Sequence, residues 1–201
     1  MTTLDHQLFF WINGLAGENP WLDGAARLLV TDYFVPVGLS IVLVGLWFGG
    51  RSAERRRCYQ RVVLAAPAAL LLVNLIVFTG NTTQIPPERH RPYEDHPEAL
   101  ATAEFFFYPP PDPAFPSNST AVAFAIAGLL WRGVRRIGFL AGSLALGLGL
   151  ARIYAGVHYP LDVAAGMALG LLGSWVAWRI LSLMEPLPSN ILRLVRRLYL
   201  A

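Results

Sequence analysis

Five long apolar stretches dominate this chain of 201 residues and restrict the folds open to it. They occupy residues 33–50, 62–80, 119–131, 137–155 and 161–183. A helix needs about 20 apolar residues to cross a bilayer, so each stretch is a candidate span, although the third is short and we expect it to extend outward. With 55% hydrophobic and only 14% charged residues, the chain is too apolar for an ordinary soluble domain.

The segments around these stretches complete the predicted architecture. Residues 8–29 carry polar breaks that favour a pair of interfacial helices, with a sixth crossing as the alternative. A long loop over about residues 81–116 contains most of the prolines, and long loops are usually functional. We predict an all-α, polytopic transmembrane bundle of five or six spans, a single domain over residues 1–201 with a long outer active-site loop. Small residues should allow close helix approach, among them Gly142, Gly147, Gly149, Gly166 and Gly170.

Arginine supplies all 16 basic side chains, because the sequence contains no lysine. Three clusters fall between apolar stretches or after the last one: Arg51, Arg55, Arg56, Arg57 and Arg61; Arg132, Arg135 and Arg136; Arg193, Arg196 and Arg197. Because apolar spans flank these clusters, we interpret the arginines as topology signals and lipid contacts and not as a nucleic-acid site. By the positive-inside rule these segments face the cytoplasm, so the long loop and the turn at 156–161 face outward together.

The stretch ARIYAGVHYPLD at residues 151–162 places three ionisable side chains in an apolar region. Arg152 lies near the end of the fourth stretch, His158 in a short turn, and Asp162 in the first turn of the helix that Pro160 begins. Asp162 follows His158 by four residues, so we expect its carboxylate to accept a hydrogen bond from the imidazole. An arginine inside a span is costly and usually marks a functional or paired site. The three residues together favour function over separate structural roles.

A second polar cluster lies in the long loop. RHRPY supplies Arg91, and FPSNSTA supplies Ser117 and Asn118 immediately before the third stretch. Ser117 or Asn118 is a predicted N-cap, and the exposed amides of a helix start offer an anion site. The predicted topology brings this helix start and Arg91 to the same membrane face as Arg152 and His158. Because guanidinium groups suit bidentate phosphate binding, we predict a phosphate pocket there.

At these residues the chain resembles the type 2 phosphatidic acid phosphatase family of membrane lipid phosphatases. The family pattern has three pieces: Lys, six residues, then Arg-Pro; a Pro-Ser-Gly-His type segment; and Ser-Arg, five residues, His, three residues, Asp. Here the first supplies Arg91-Pro92, the second Pro116-Ser117, and the third is ARIYAGVHYPLD. The opening INGLAGENPWLD is similar to the start of bacterial members that act on undecaprenyl pyrophosphate, and the resemblance covers most of the chain.

The resemblance implies a role for each matched residue. His158 would attack phosphorus and Asp162 would hold the imidazole tautomer. The resemblance also implies that the substrate is bound by local amides and by five side chains: Arg91, Arg152, Ser117, Asn118 and, at the family's lysine position, Gln84. The expected partners are a lipid phosphate or diphosphate and membrane lipids, without nucleic acid. No cofactor is expected, and the loop carboxylates Glu88, Glu94, Asp95 and Glu98 are more typical of a solvated surface than of a metal site.

Three positions depart from the family pattern. Gln84 replaces the lysine, Ala151 replaces the first serine of the third piece, and Ser119 stands where the family has the histidine that protonates the leaving oxygen. A serine hydroxyl is far too weak an acid to replace imidazole near neutral pH. His90 and His96 are candidate substitutes, although loop histidines are more often solvated.

Leaving-group chemistry ranks the substrates. A phosphomonoester expels an alkoxide whose conjugate acid is about as weak as water, whereas a diphosphate expels a phosphate with a pKa of about 6. We therefore predict a phosphatase that converts a polyprenyl (undecaprenyl) diphosphate to the monophosphate through a phosphohistidine at His158, at the outer face of a bacterial-type cytoplasmic membrane. The alternatives are a phosphatase of phosphatidic acid or phosphatidylglycerophosphate, and a lipid-phosphate-binding protein with impaired or no catalysis, which Gln84 and Ser119 favour.

Overall fold

The computed structural model describes residues 3–31, 33–85, 89–96 and 112–198. In these residues the regular structure is helical, without strands, which confirms the predicted all-α class. The helices are α1 (Thr3–Asn13), α2 (Pro20–Val30), α3 (Phe34–Phe48), α4 (Ala53–Thr83), α5 (Pro92–Asp95), α6 (Asn118–Gly133), α7 (Arg135–Tyr154), α8 (Pro160–Leu183) and α9 (Leu187–Arg197).

The amino-terminal segment forms a pair of short helices, as its polar breaks predict. Asn19 is the N-cap of α2, and its side chain accepts hydrogen bonds from the amides of Trp21 and Leu22 at 2.9 and 3.4 Å. Pro20 occupies the first turn of α2, where its missing amide costs no helical hydrogen bond. Both helices pack against α7.

Among the described residues, three helices are long and apolar enough to cross a membrane alone: α4, α7 and α8. A further span results if α2 and α3, which meet at a bend of 59°, cross together. With 16 residues, α6 is shorter than a bilayer crossing requires. The protein is a membrane protein, and its five or six crossings stay a prediction.

Helix α6 forms the centre of the bundle and packs against α4, α7 and α8. It begins at Asn118, and residues 112–117 before it are not helical, so the expected outward extension of the third stretch is wrong. Pro113 and Pro116 explain this boundary, because proline lacks the amide that a helix interior needs. At its other end α6 stops where Val134 adopts an extended conformation.

Two glycines of α8 allow the backbones of α6 and α8 to approach closely. A Cβ on Gly166 would overlap the carbonyl oxygen of Ser117, and a Cβ on Gly170 would overlap that of Ala121. Gly142 differs, because a Cβ there would meet nothing within 4 Å. A Cβ on Gly149 would overlap Cγ1 of Val163, and one on Gly147 would lie 3.3 Å from Cδ1 of Leu29. The predicted packing role therefore holds for these two glycines and for Gly166 and Gly170, and it is wrong for Gly142.

Arginines from the three clusters meet at one end of the bundle. The guanidinium carbons of Arg61 and Arg132 lie 5.6 and 5.8 Å from the ring centroid of Trp178. Arg196 of α9 donates to Oε1 of Gln60 in α4 at 2.6 Å. The opposite end carries the amino ends of α6 and α8 and the carboxyl end of α7, which together hold the candidate site.

Candidate active site

His158 lies in the turn between α7 and α8 and is buried, with 2% of its surface exposed. The amides of Val157 and His158 both donate to the carbonyl oxygen of Arg152, at 3.0 and 3.4 Å, and close this turn. Gly156 adopts a positive φ of 76° there, which glycine tolerates without steric cost. The imidazole is thus held by a short, internally bonded connection between two long helices.

The guanidinium of Arg91 reaches this imidazole from the long loop. Its Nη1 lies 3.3 Å from Nε2 of His158 and 3.3 Å from the carbonyl oxygen of Val157. A guanidinium only donates, so Nε2 is the acceptor in this contact, which corresponds to the tautomer with the ring proton on Nδ1; among the described residues Nδ1 has no hydrogen-bond partner. The structure brings together the two residues that the sequence placed on one membrane face.

Asp112 and Glu94 hold Arg91 in this position. The Nε of Arg91 donates to the backbone oxygen of Asp112 at 2.8 Å, and its Nη2 donates to Oδ1 of the same residue at 3.1 Å. Its own amide donates to the carboxylate of Glu94 at 2.7 Å, which starts α5. The guanidinium is consequently buried and oriented before any ligand binds.

Asp162 is fully buried in the first turn of α8. Its Oδ2 lies 3.7 Å from Nδ1 of His158, which is too long for the predicted hydrogen bond, so that expectation is wrong in detail. The carboxylate instead accepts from the amide of Tyr159 at 2.8 Å and from Nη1 of Arg89 at 2.6 Å. Helix capping and the arginine therefore determine its orientation, and it still faces the imidazole.

Electrostatics favour a neutral imidazole at His158. Burial is the largest cause that holds the pKa of His158 well below its ordinary value, and the positive charges of Arg91 and Arg152 act in the same direction. Arg152, in the last turn of α7, is itself buried. A neutral ring with its proton on Nδ1 presents a lone pair at Nε2, which is the form that can act as a nucleophile.

Ser117 is the N-cap residue that precedes α6, but its hydroxyl does not cap the helix amides. The hydroxyl instead pairs with that of Thr120 at 2.9 Å, and both residues are buried. The amide of Ser117 donates to the carbonyl oxygen of Asp162 at 3.0 Å. This bond joins the start of α6 to the first turn of α8, so the predicted anion-binding helix start lies beside the histidine turn.

The next two residues of α6 differ in their contacts. The side-chain amide of Asn118 donates to Oδ1 of Asn74 in α4 at 3.2 Å, so this side chain is engaged with a neighbouring helix. Ser119 lies in the first turn of α6 and is partly exposed. Their roles in binding and catalysis stay predictions.

Gln84 ends α4 in a left-handed conformation, with φ of 52°, and its surface is exposed. It lines a groove of about 250 Å³ together with Ile85, Pro116 and Leu169. Among the described residues its side chain has no hydrogen-bond partner. The structure therefore does not bring Gln84 into direct contact with His158, and its expected role in substrate binding stays a prediction.

The loop histidines have separate environments. His90 is exposed, with Nδ1 3.3 Å from a carboxylate oxygen of Asp95. His96 is not simply solvated, because its ring packs edge to face against Phe10 with centroids 4.8 Å apart. In the described part of the chain neither ring forms a hydrogen bond with His158.

The loop carboxylates Glu94 and Asp95 are exposed, as a solvated surface implies, and each also accepts a hydrogen bond. Glu94 caps α5, and Asp95 accepts from the hydroxyl of Tyr159 at 3.2 Å. Glu88 and Glu98 lie outside the described residues. Within the described ranges no cluster of three or more potential metal ligands occurs.

Three residues of this site were not predicted from the sequence. Asp112 positions Arg91, and Arg89 binds Asp162 while also pairing with Asp5 from α1. The available signals were weak: Arg89 stands two positions before Arg91, and Asp5 is an acidic residue in an apolar segment.

A buried neutral imidazole beside a fixed guanidinium combines a nucleophile with a group that binds phosphoryl oxygens. Set at one end of an apolar helical bundle, this pair defines a membrane-embedded enzyme that acts on a phosphorylated lipid.

Comparison with known proteins identifies the family. The PAP2 superfamily matches residues 62–184, and the chain belongs to this superfamily. It is 40% identical over 178 residues to the bacitracin transport permease protein BcrC of Bacillus licheniformis, covering 87% of this chain and 80% of that protein. It is 31% identical over 175 residues to the putative undecaprenyl-diphosphatase YbjG of Escherichia coli strain K12, covering 86% and 80%.

A solved structure supports the same conclusion. The crystal structure of Aquifex aeolicus LpxE matches with a TM-score of 0.61 at 25% identity, covering 89% of this chain and 96% of that one. The protein is a phosphoric ester hydrolase of the PAP2 superfamily.

Proposed function

We propose that this protein hydrolyses a polyprenyl diphosphate of the undecaprenyl type to the monophosphate, through a phosphohistidine at His158. The site faces outward from a bacterial-type cytoplasmic membrane, because the arginine clusters gather at the opposite end of the bundle. The putative undecaprenyl-diphosphatase from Escherichia coli supports the substrate class by its similarity to this chain.

The contact between Arg91 and His158 carries this proposal. With Nη1 3.3 Å from Nε2, a phosphoryl group whose oxygens bind the guanidinium would bring its phosphorus against the imidazole lone pair. Arg152, whose charge acts on His158, and the amides at the start of α6, which lies beside the turn, add positive potential. The site therefore supplies a nucleophile and charge neutralisation from its own residues.

The reaction proceeds in two displacements. Nε2 of His158 attacks the terminal phosphorus, an N–P bond forms, and the bridging P–O bond breaks with its electron pair on the departing prenyl monophosphate. Water then attacks the phosphorus, the N–P bond breaks with its electron pair returning to Nε2, and inorganic phosphate leaves while the proton of the attacking water passes to solvent. Asp162 faces Nδ1 from 3.7 Å and stabilises the positive charge that the ring acquires during attack.

The residue at position 119 favours a diphosphate over a phosphomonoester. A departing prenyl monophosphate is a stable anion, whereas an alkoxide must be protonated as it leaves. Ser119 offers only a weakly acidic hydroxyl in the first turn of α6. The absence of imidazole at this position is therefore less costly for a diphosphate substrate.

The test is phosphate release from undecaprenyl diphosphate and from phosphatidic acid by detergent-solubilised protein. We expect faster release from the diphosphate, and we expect His158→Ala to abolish both release and an acid-labile phosphoenzyme. His90→Ala is the matched control, because His90 is exposed and should leave turnover unchanged. Equal rates on both lipids would contradict the substrate class. Turnover by His158→Ala would contradict the mechanism, and binding of lipid phosphates by unmodified protein without any release would contradict hydrolysis.

A further inference from the structure

Asp5 is an acidic residue of α1 that is almost completely buried, with 5% of its surface exposed. Its Oδ1 accepts from the amide of Leu161 at 2.8 Å, which caps the start of α8. Its Oδ2 forms an ion pair with Nη2 of Arg89. A carboxylate from the amino-terminal helix therefore reaches the same helix turn that carries Asp162.

Arg89 connects this carboxylate to the site. Its Nη1 donates to Oδ1 of Asp162 at 2.6 Å, while Nη2 binds Asp5. The guanidinium carbon lies 4.4 Å from the ring centroid of Tyr159, which adds a cation–π contact. With only 13% of its side chain exposed, Arg89 is held between two carboxylates and an aromatic face.

We propose that Asp5 is a positioning residue for catalysis, acting through Arg89 on the carboxylate of Asp162 and hence on the imidazole of His158. This inference rests on the proposed role of His158 as the nucleophile. One carboxylate oxygen of Asp162 accepts a hydrogen bond from Arg89 and the other accepts from the Tyr159 amide. The orientation of this carboxylate toward Nδ1 of His158 therefore depends on both donors. A guanidinium that lost Asp5 would be free to reorient and would hold Oδ1 less rigidly.

Other contacts keep α1 in place without Asp5. The side-chain amide of Asn13 donates to the carbonyl oxygen of Tyr154 at 2.9 Å. Phe9 is fully buried against Tyr159, with ring centroids 5.2 Å apart. Removing the Asp5 charge should therefore affect the ion pairs that join Asp5, Arg89 and Asp162 more than it affects the docking of α1.

The kinetic test compares Asp5→Asn, Arg89→Ala and the double variant, with Asn13→Ala as the matched control that weakens α1 docking without touching Arg89. We expect Asp5→Asn to lower kcat by about 10-fold and to leave KM within about twofold, while Asn13→Ala retains full kcat. The double variant should be no slower than Arg89→Ala alone, because Asp5 acts through Arg89. Additive losses, or an equal kcat loss in Asn13→Ala, would overturn the proposal.

A second measurement does not depend on turnover. In proton NMR spectra of ¹⁵N-histidine-labelled protein, the Nδ1 proton of His158, assigned by its loss in His158→Ala, shifts downfield as its interaction with a carboxylate strengthens. We expect Asp5→Asn and Arg89→Ala to move this resonance upfield and Asn13→Ala to leave it in place. An unchanged resonance in Asp5→Asn would overturn the positioning role. Retained turnover in His158→Ala would instead overturn the proposed function, so the two failures are distinguishable.

Discussion

Arg91 donates from Nη1 to Nε2 of His158 across 3.3 Å, although the two residues are 67 positions apart in the chain. The same guanidinium bonds the backbone and carboxylate of Asp112 and the carbonyl oxygen of Val157. When a phosphoryl oxygen takes the Nη1 donor from Nε2, this planar group can keep its two contacts with Asp112, and the imidazole lone pair becomes free to attack. An ammonium group, which is compact and has three donors, cannot span the same positions.

Arg91→Lys should therefore lower kcat/KM for a prenyl diphosphate by about 100- to 1,000-fold, the range observed when one donor to a transition state is removed. Phosphate release under subsaturating substrate measures the loss. Arg135→Lys, an exposed exchange of the same kind at the other end of the bundle, is the control and should keep full activity. Equal activity of Arg91→Lys and unmodified protein would refute the bidentate role.

The pKa of His158, held well below its ordinary value by burial and by Arg91 and Arg152, makes stability depend on pH. The unfolded chain takes up this proton as the pH falls below about 6.5, while the folded protein does not. The stabilising contribution of the neutral ring is thus complete above about pH 6.5 and decreases on acidification.

Unfolding temperatures in detergent should accordingly fall between about pH 7 and pH 5, and His158→Asn should flatten this dependence because asparagine does not titrate. The difference between the curves of unfolding temperature against pH for the two proteins gives the contribution of His158 separately from that of other titrating groups. Parallel curves for the two proteins would show that the imidazole is not held neutral by the fold.

Sequence spacing predicted the local part of the site and missed the distant part. Arg152, His158 and Asp162 share one helix–turn–helix segment, so their spacing alone brings them to one turn. Asp5 and Leu161 are 156 positions apart, and no local pattern encodes such a contact. The exact direction of the Asp162 carboxylate escaped prediction for the same reason, because it depends on Arg89 from the loop.

The fold, too, was predicted where it depends on local sequence patterns and not where it depends on packing between distant segments. Apolar stretches predicted the helical class, and polar breaks predicted the pair α1 and α2. Which glycines lie at close helix crossings depends on how the helices are rotated in the bundle. Gly142 and Gly166 have similar apolar surroundings in the sequence, yet only Gly166 faces another backbone.

Gly166→Ala should destabilise the protein by about 1–3 kcal/mol, the usual cost of overpacking a close contact. The added Cβ would overlap the Ser117 carbonyl oxygen and displace the start of α6, so activity should fall as well. Denaturant unfolding in detergent measures the first effect and phosphate release the second. Gly142→Ala, on an open face of α7, should be neutral or slightly stabilising. Equal destabilisation by both substitutions would contradict the close crossing.

Ser119→His should restore an acid at the position where the family has histidine. Because protonation matters most for an alkoxide leaving group, we expect the variant to raise kcat on phosphatidic acid by about 100-fold or more, with a much smaller gain on a prenyl diphosphate. Phosphate release from both lipids gives the ratio of the two gains. Ser119→Asn is the control, because it adds a polar side chain without an acidic group near neutral pH and should give neither gain. Equal gains on both lipids would mean that the histidine improves binding or folding rather than proton donation.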